Sequence, residues 1–370
     1  MSVINQPDLA QNAATALKIE HLRKDFPIHN ANPFVKAHAV HAVDDASFAL
    51  YPGRATALVG ESGSGKSTIA RVLSRLYDPT SGNILFNEKP FKDATLREYR
   101  RHVQMIFQDP FSSLNPIHDL RYHLSRPLRI YGYAHNRNEE QEQVLDLLRR
   151  VNLTPAEQFI EKLPHQLSGG QRQRVAIARA LAVRPDVLLA DEPVSMLDVS
   201  IRLDILNLLL RLKNQERIAI LFITHDIASA RYFAEDTLVL YAGQMVEGGP
   251  SEEVIQDAKH PYTQLLLSAA PDPDRIGPDG KNHEKLPARG EIPSLITPPT
   301  GCRFHPRCPH AMPICKERFP GRTDLGNGHW TNCFLYGEGT ATATTKGSIP
   351  VMPPISRTGT VNGTSQPMGD

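Results

Sequence analysis

Two rhythms of hydrophobic and polar positions run along this chain. Leu17-Lys18-Ile19-Glu20-His21-Leu22 alternates with period two, the pattern of a half-buried strand. A second strand is predicted over 43–50, ending at the Pro52-Gly53 turn. Ala55-Thr56-Ala57-Leu58-Val59 is too apolar to alternate and reads as a strand buried on both faces. The rhythm then lengthens: over 68–77, Ile69, Val72, Leu73 and Leu76 recur on one face of a helix. An apolar strand is predicted over 103–107. Residues 109–165 carry helical patterns, such as 141–151, and few strand signals. Beyond them the pattern predicts a helix over 168–183, a strand over 187–190, a helix over 201–215, and strands over 218–224 and 237–241. Gly248-Gly249-Pro250 reads as a turn, and this unit closes near residue 270. Strands alternating with helices predict an α/β fold with a mostly parallel sheet covered by helices, carrying a helical subdomain over about 109–183.

Composition adds boundaries. The chain has 370 residues, enough for two compact units and linker. Residues 1–16 are polar and expected to be loose, and 17–270 form the main unit. Residues 271–300 hold seven prolines, the composition of an extended wrap leading into a small C-terminal extension that ends near 336 and is expected to stand apart from the main unit. Residues 337–370 are Thr, Gly, Ser and Pro with few charges, and are expected to be disordered. No internal repeat is apparent, so a single copy of the main unit is expected. Lysine plus arginine number 41 against 40 acidic residues, a net charge of +1, which argues against a nucleic-acid partner. No apolar run reaches membrane-spanning length, and MSVINQPDLA lacks the charged and apolar regions of a signal peptide. A cytoplasmic protein is expected, with any membrane role supplied by partner chains.

The chemistry starts at Gly60-Glu61-Ser62-Gly63-Ser64-Gly65-Lys66-Ser67, followed by Thr68. This fits the phosphate-binding loop G-x-x-x-x-G-K-[ST]. Glycines let backbone N–H groups approach phosphate oxygens, Lys66 reaches the outer phosphates, and the Ser67 hydroxyl suits Mg²⁺. The strand before the loop and the helix after it supply the right context, with the positive helix end aimed at the anion. ATP and Mg²⁺ are the expected ligands.

Four more segments follow in order. Gln108 comes directly after the strand at 103–107. Leu167-Ser168-Gly169-Gly170-Gln171 reads as a helix start, with Ser168 as cap and glycines that admit a close ligand. The strand at 187–190 ends in Asp191-Glu192, delivering Asp191 toward Mg²⁺ and leaving Glu192 to act on water. His225 follows the strand that ends at Thr224. Taken singly, an Asp-Glu pair after a strand is most often a solvated turn, a Thr-His-Asp is usually a cap, and a lone glutamine means nothing. Their order and spacing behind a phosphate loop remove those readings. Over roughly 17–270 the chain resembles the ATP-binding-cassette (ABC) ATPases, P-loop proteins with a helical subdomain. The resemblance implies that Glu192, His225 and Gln108 serve hydrolysis. It also implies that Gln108 joins Ser67 and Asp191 at Mg²⁺, that Phe26 stacks on adenine, and that the signature 167–171 faces the ATP of a partner cassette. The D-loop falls on Ser195-Met196-Leu197-Asp198, with methionine where the family usually has alanine and Asp198 in place.

The segments Gln108-Asp109-Pro110-Phe111-Ser112-Ser113-Leu114-Asn115-Pro116, His260-Pro261-Tyr262-Thr263 and Gly301-Cys302-Arg303-Phe304-His305-Pro306-Arg307-Cys308 narrow the match. They resemble the ATP-binding subunits of oligopeptide/dipeptide importers, out to about residue 336. This implies an ATPase on the cytoplasmic face of the inner membrane. Its partners would be a second ATPase subunit (the same or a related chain), two permeases and an extracytoplasmic substrate-binding protein. The rival readings are the same machinery with another cargo (oligosaccharide, nickel or opine) and a soluble ABC ATPase outside transport.

The four cysteines, Cys302, Cys308, Cys315 and Cys333, lie within one stretch, spaced C-x5-C-x6-C-x17-C. This is not the paired C-x2-C of common zinc modules, and a reducing compartment disfavours disulfides. Spacing alone leaves Zn²⁺, a [4Fe–4S] cluster and free thiols open. The resemblance tips the choice toward iron–sulfur. His305, His310 and His329 are possible substitute ligands but read as ordinary loop histidines.

Overall fold

The computed structural model describes residues 15–28, 38–269 and 290–337. Its strands, in chain order, are β1 (Leu17–Ile28), β2 (His38–Leu50), β3 (Ala55–Val59), β4 (Ser81–Phe86), β5 (Lys89–Pro90), β6 (Val103–Ile106), β7 (Val187–Asp191), β8 (Ala219–Thr224), β9 (Asp236–Tyr241), β10 (Gln244–Pro250), β11 (Thr323–Gly326) and β12 (His329–Thr331). They make two sheets among the described residues. An antiparallel sheet runs β2-β1-β4-β5, and a larger mixed sheet runs β11-β12-β10-β9-β3-β8-β7-β6. From β9 to β6 the pairing is parallel; β10, β12 and β11 are antiparallel.

The parallel strands are apolar at successive positions because both of their faces are buried. In β8, Ile220 and Phe222 enter one core while Leu221 and Ile223 enter the other. In β7 the same split sends Leu188 and Ala190 one way and Val187 and Leu189 the other. The first core lies under the helices inserted between β6 and β7. These include Leu120–Ile130, Arg137–Arg150 and Gly169–Leu181, which bring Leu124, Leu128, Val144, Leu147, Val175 and Leu181 together. Their starts are set by capping: the Asp119 carboxylate accepts from the Tyr122 N–H, Asn136 accepts from Asn138 and Glu139, and Ser168 and Gln171 form a reciprocal capping box. The second core lies between the large sheet and the antiparallel sheet, where Leu17, Ile19, Phe48 and Ile84 meet helix Lys66–Leu73.

At β9 the covering layer changes. Leu238 and Leu240 face the second core, but Val239 and Tyr241 meet Tyr262, Cys302 and Phe304. The cysteine-bearing segment therefore covers a sheet face, and its β11–β12 hairpin continues the sheet through Glu247↔Thr331 and Gly248↔Trp330. Among the described residues it packs on the main unit and does not stand apart from it. The predicted turn at Gly248-Gly249-Pro250 is corrected for the same reason, since these residues end strand β10. A Cβ on Gly248 would come within 2.6 Å of the Trp330 ring, so this glycine makes room for a neighbour and does not turn the chain. β4 and β5 were not predicted, and β1 and β2 are longer than their alternating stretches.

Residues 29–37, and the expectations for residues 1–14, 270–289 and 338–370, lie outside the described residues. Among those described, no helix is long and apolar enough to cross a membrane.

Candidate functional site

Strands β3, β8 and β7 are neighbours, so their C-terminal ends open at one edge of the sheet, where open α/β sheets place ligands. β3 runs into the loop Gly60–Gly65, and helix Lys66–Leu73 follows at once. Gly65 has φ +106°, and a Cβ there would lie 2.2 Å from the Ala42 carbonyl oxygen, so only glycine closes this loop. The Lys66 ammonium is buried and donates to the carbonyls of Gly60 (2.7 Å) and Glu61 (2.8 Å). Burial lowers its pKa, while Glu192, Asp191 and Glu61 pull the other way.

The Ser67 hydroxyl donates to Asp191 Oδ1 at 2.9 Å, which joins the loop to the end of β7. Burial pushes the Asp191 carboxyl up, opposed by the Ser67 bond and by Arg71 and Lys66. A hydroxyl and a buried carboxylate side by side are hard oxygen donors that fit Mg²⁺ beside a triphosphate.

Glu192 has φ +46°, and its N–H donates to the Ile223 carbonyl at 3.0 Å. That turn swings its side chain off the strand and into the cleft. Gln108 Nε2 donates to one carboxylate oxygen at 3.1 Å, and His225 Nδ1 lies 3.3 Å from the other. Two residues from neighbouring strand ends thus meet on the Glu192 carboxylate. That is the arrangement of a base oriented to receive a proton from water. Gln108 makes this contact and not one to the Ser67–Asp191 pair, although Gln108 and Ser67 border the same space.

The cleft has a volume of about 760 Å³. Its walls include Phe26, Glu61, Ser62, Gly63, Gly65, Lys66, Ser67, Thr68, Gln108, Glu192 and His225, all predicted from sequence. Gly60 and Ser64 belong to the same loop. Phe26 stands at the mouth, edge-on to Tyr77 at 5.3 Å with the Lys24 ammonium 4.8 Å from its ring centre. Val40, Ala42, Leu266 and Leu295 also line the cleft and were not predicted. No local motif marks them; they arrive through long-range packing. The signature residues Leu167, Ser168, Gly169, Gly170 and Gln171 do not border this cleft among the described residues. Ser168 and Gly169 start their helix at the surface, and Asp198 stands exposed beside the exposed apolar Met196, Val199 and Leu203. A second, separate groove of about 420 Å³ lies beside Gln108, between β6 and helix Leu120–Ile130, walled by Gln104, Met105, Phe107, Tyr122, Arg126 and Ile130.

The four cysteines converge. Cys302, Cys308, Cys315 and Cys333 line one small enclosed cavity of about 20 Å³ with Phe304, Pro320 and Phe334. Burial pushes the Cys302 thiol up to about 12 and the Cys333 thiol to about 11, and the neighbouring cysteines add to both. Backbone N–H groups of Phe304, His310 and Leu335 point at Cys302, Cys308 and Cys333 and oppose the rise. Four thiols on one cavity, three of them with N–H donors, are by their chemistry a donor set suited to a thiophilic cation. As placed, however, no three His, Cys, Asp or Glu side chains among the described residues stand close enough together to hold a metal, and the cavity has room for about one water.

Comparison with known proteins agrees with this geometry. The profile of the ABC transporter family matches residues 43–195, and that of the oligopeptide/dipeptide transporter C-terminal region matches 246–315. The chain is 41% identical over 331 residues to the oligopeptide transport ATP-binding protein AppF of Bacillus subtilis, covering 88% of this chain and 99% of AppF. It is 45% identical over 289 residues to the di/tripeptide transport ATP-binding protein DppF of Pseudomonas aeruginosa, covering 77% and 87%. Among solved structures it is similar to CbiO1 of Clostridium perfringens, part of an ABC transporter complex, with TM-score 0.57, 28% identity and coverage of 66% and 92%. A bacterial ABC transporter cassette solved as a dimer gives TM-score 0.55, 28% identity and coverage of 64% and 98%.

Proposed function

The chain belongs to the ATP-binding subunits of ABC transporters, in their oligopeptide/dipeptide branch, and on that premise we propose how its residues power peptide import. It is the ATP-hydrolysing subunit of a peptide importer, working as a cassette dimer with permeases and a substrate-binding protein. The observation that carries the mechanism is the meeting of Gln108 and His225 on the Glu192 carboxylate, one residue beyond the Ser67–Asp191 pair.

ATP lies along the loop 60–68 with its base toward Phe26. Backbone N–H groups and Lys66 take the phosphates. Ser67 and Asp191 would hold Mg²⁺, with Gln108 as a further oxygen donor, and the ion would neutralise charge on the phosphates. Glu192 accepts the proton of the attacking water while Gln108 and His225 fix its carboxylate. Among the described residues, this chain's own signature 167–171 and Asp198 do not border the cleft. The signature 167–171 and Asp198 of a partner cassette face its ATP, and the exposed Met196, Val199 and Leu203 suit that contact.

The residues over 17–270 form the nucleotide-binding unit, and the helical part over about 109–183 faces the permeases. The groove beside Gln108 supports that reading, because movement at Glu192 reaches it through a single residue. The subunit sits on the cytoplasmic face of the inner membrane, held there by the permeases. Drawn closer together than they stand, the four cysteines would hold one structural metal centre, a [4Fe–4S] cluster in preference to Zn²⁺. The convergence of four thiols on one cavity supports it, and it serves no step of hydrolysis.

Two experiments test these readings. Affinity purification of the full chain from membranes is expected to bring down two permeases and a second ATPase; recovery without any membrane protein would refute the importer. Anaerobically purified protein is expected to carry about four irons per chain. Cys308→Ser is expected to lose them, and one zinc per chain would replace the cluster with Zn²⁺.

A further inference from the structure

We propose that Arg307 is a positioning residue of the phosphate loop, so that the cysteine-bearing segment is a working part of the nucleotide site. The inference rests on reading the cleft as an ATP site. Glu61 is the second residue of the loop. Its carboxylate is forked by Arg307, with Nη1 donating to Oε2 at 2.8 Å and Nη2 to Oε1 at 3.1 Å. Arg307 lies between Cys302 and Cys308 in the chain, and its side chain is only 6% exposed. Its guanidinium also reaches the Tyr241 hydroxyl at 3.3 Å and lies near the Tyr241 and Phe304 rings. The Glu61 main chain is held as well, its N–H donating to the Tyr262 hydroxyl at 2.8 Å. Its carbonyl accepts from Lys66. Side chain, N–H and carbonyl of one loop residue are therefore all engaged, and two of the three partners lie outside the loop.

The same segment reaches the cleft at two further points. Arg303 donates to the carbonyls of Ala242 and His41 and to Asp44 Oδ2 at 3.1 Å. This braces β2, whose Ala42 carbonyl closes over Gly65. Leu295 lines the cleft, and its carbonyl accepts the His41 N–H at 2.8 Å.

A forked guanidinium–carboxylate pair fixes orientation as well as distance, which a single point charge does not. Glu61 sits where a polyphosphate binds, and an untethered carboxylate there would both wander and repel. The pair holds Glu61, and Glu61 holds the carbonyl on which Lys66 rests. Releasing Arg307 misplaces the loop before nucleotide arrives. Chemistry at Glu192, on a different strand end, is left alone. The effect therefore falls on nucleotide affinity and KM, and kcat at saturation is spared.

The test uses the full chain in its assembled complex, with Mg-ATP affinity from nucleotide titration and with kcat and KM from phosphate release. Arg307→Ala is expected to raise Kd and KM about tenfold, with kcat at saturation within about twofold of wild type. Arg307→Lys, which keeps the charge and loses the fork, is expected to fall between. Glu61→Ala is expected to match Arg307→Ala, and the double variant to be no worse than either. Wild-type affinity in Arg307→Ala would overturn the inference. So would full recovery in the double variant, because Arg307 would then merely neutralise Glu61. Should Arg307→Ala fail to fold, Glu61→Gln serves instead, and unchanged affinity there would again overturn it. Absence of ATP binding by the wild-type complex would overturn the ATP-site reading and, with it, the inference that rests on it.

Discussion

Glu192→Gln separates binding from chemistry more cleanly than any other change in the cleft. Glutamine matches glutamate in size. Its Oε1 can still accept from Gln108 Nε2, now at 3.1 Å, and its NH₂ can donate to a neutral His225 Nδ1, now at 3.3 Å from the carboxylate. The backbone bond to Ile223 and the left-handed φ involve no side-chain charge and persist. The ground-state geometry therefore survives, and what disappears is the capacity to take a proton. Loss of a positioned general base costs about 10²–10⁴-fold, or about 2.7–5.4 kcal/mol at 1.36 kcal/mol per decade. All of it appears in kcat. Removing a carboxylate from beside bound phosphates also lowers local negative charge, so ATP affinity is expected to hold or tighten. Single-turnover phosphate release and Mg-ATP titration on the assembled complex measure both. Turnover within tenfold of wild type would place the base elsewhere, and loss of ATP affinity would make Glu192 a structural residue.

Other changes follow from the same geometry. Lys66→Ala is expected to raise the Kd for ATP, because a buried ammonium at the loop is removed; unchanged binding by titration would refute its role at the phosphates. Burial raises the Asp191 carboxyl in the folded chain, so the fold holds that proton more tightly than the unfolded chain does. The ionised group then costs stability at neutral pH, and the cost fades as pH falls through the folded-state value. Asp191→Asn is accordingly expected to raise the melting temperature of the nucleotide-free protein, by about 2–4 °C for each kcal/mol relieved, while Mg²⁺-dependent hydrolysis is lost. A melting temperature at or below wild type would contradict this. Trp330→Ala removes a buried ring that packs on Gly248 and is expected to cost about 3–5 kcal/mol locally, so that limited proteolysis cuts the C-terminal segment first. An unaltered cleavage pattern would show that the hairpin is held by other contacts.

The predicted residues of the cleft were readable because each sits at a fixed offset from a strand that declares itself. β3, β7 and β8 are buried on both faces, so their apolar runs stand out, and the phosphate loop, Asp191-Glu192 and His225 follow their last residues directly. Capping made the helix at Gly169 equally plain. β10 was misread because its glycines answer to Trp330, a partner about eighty residues away that no local rule can supply. Leu266, Leu295 and Arg307 escaped notice for the same reason. A proline-rich wrap and a cysteine cluster look like an appendage in sequence. Only the sheet pairing and the Glu61 fork show that the described part, 290–337, packs on the main unit and reaches the loop.

The central claim, that hydrolysis in this cleft drives peptide uptake, is tested most directly in sealed vesicles holding the assembled importer, with ATP on the side of this subunit and a labelled oligopeptide with the binding protein on the other. Peptide is expected to accumulate against its gradient with wild-type chain and ATP. It is expected to fail to accumulate with Glu192→Gln although ATP still binds. Uptake that proceeds with the Glu192→Gln chain, or hydrolysis that ignores the peptide-loaded binding protein, would contradict the account.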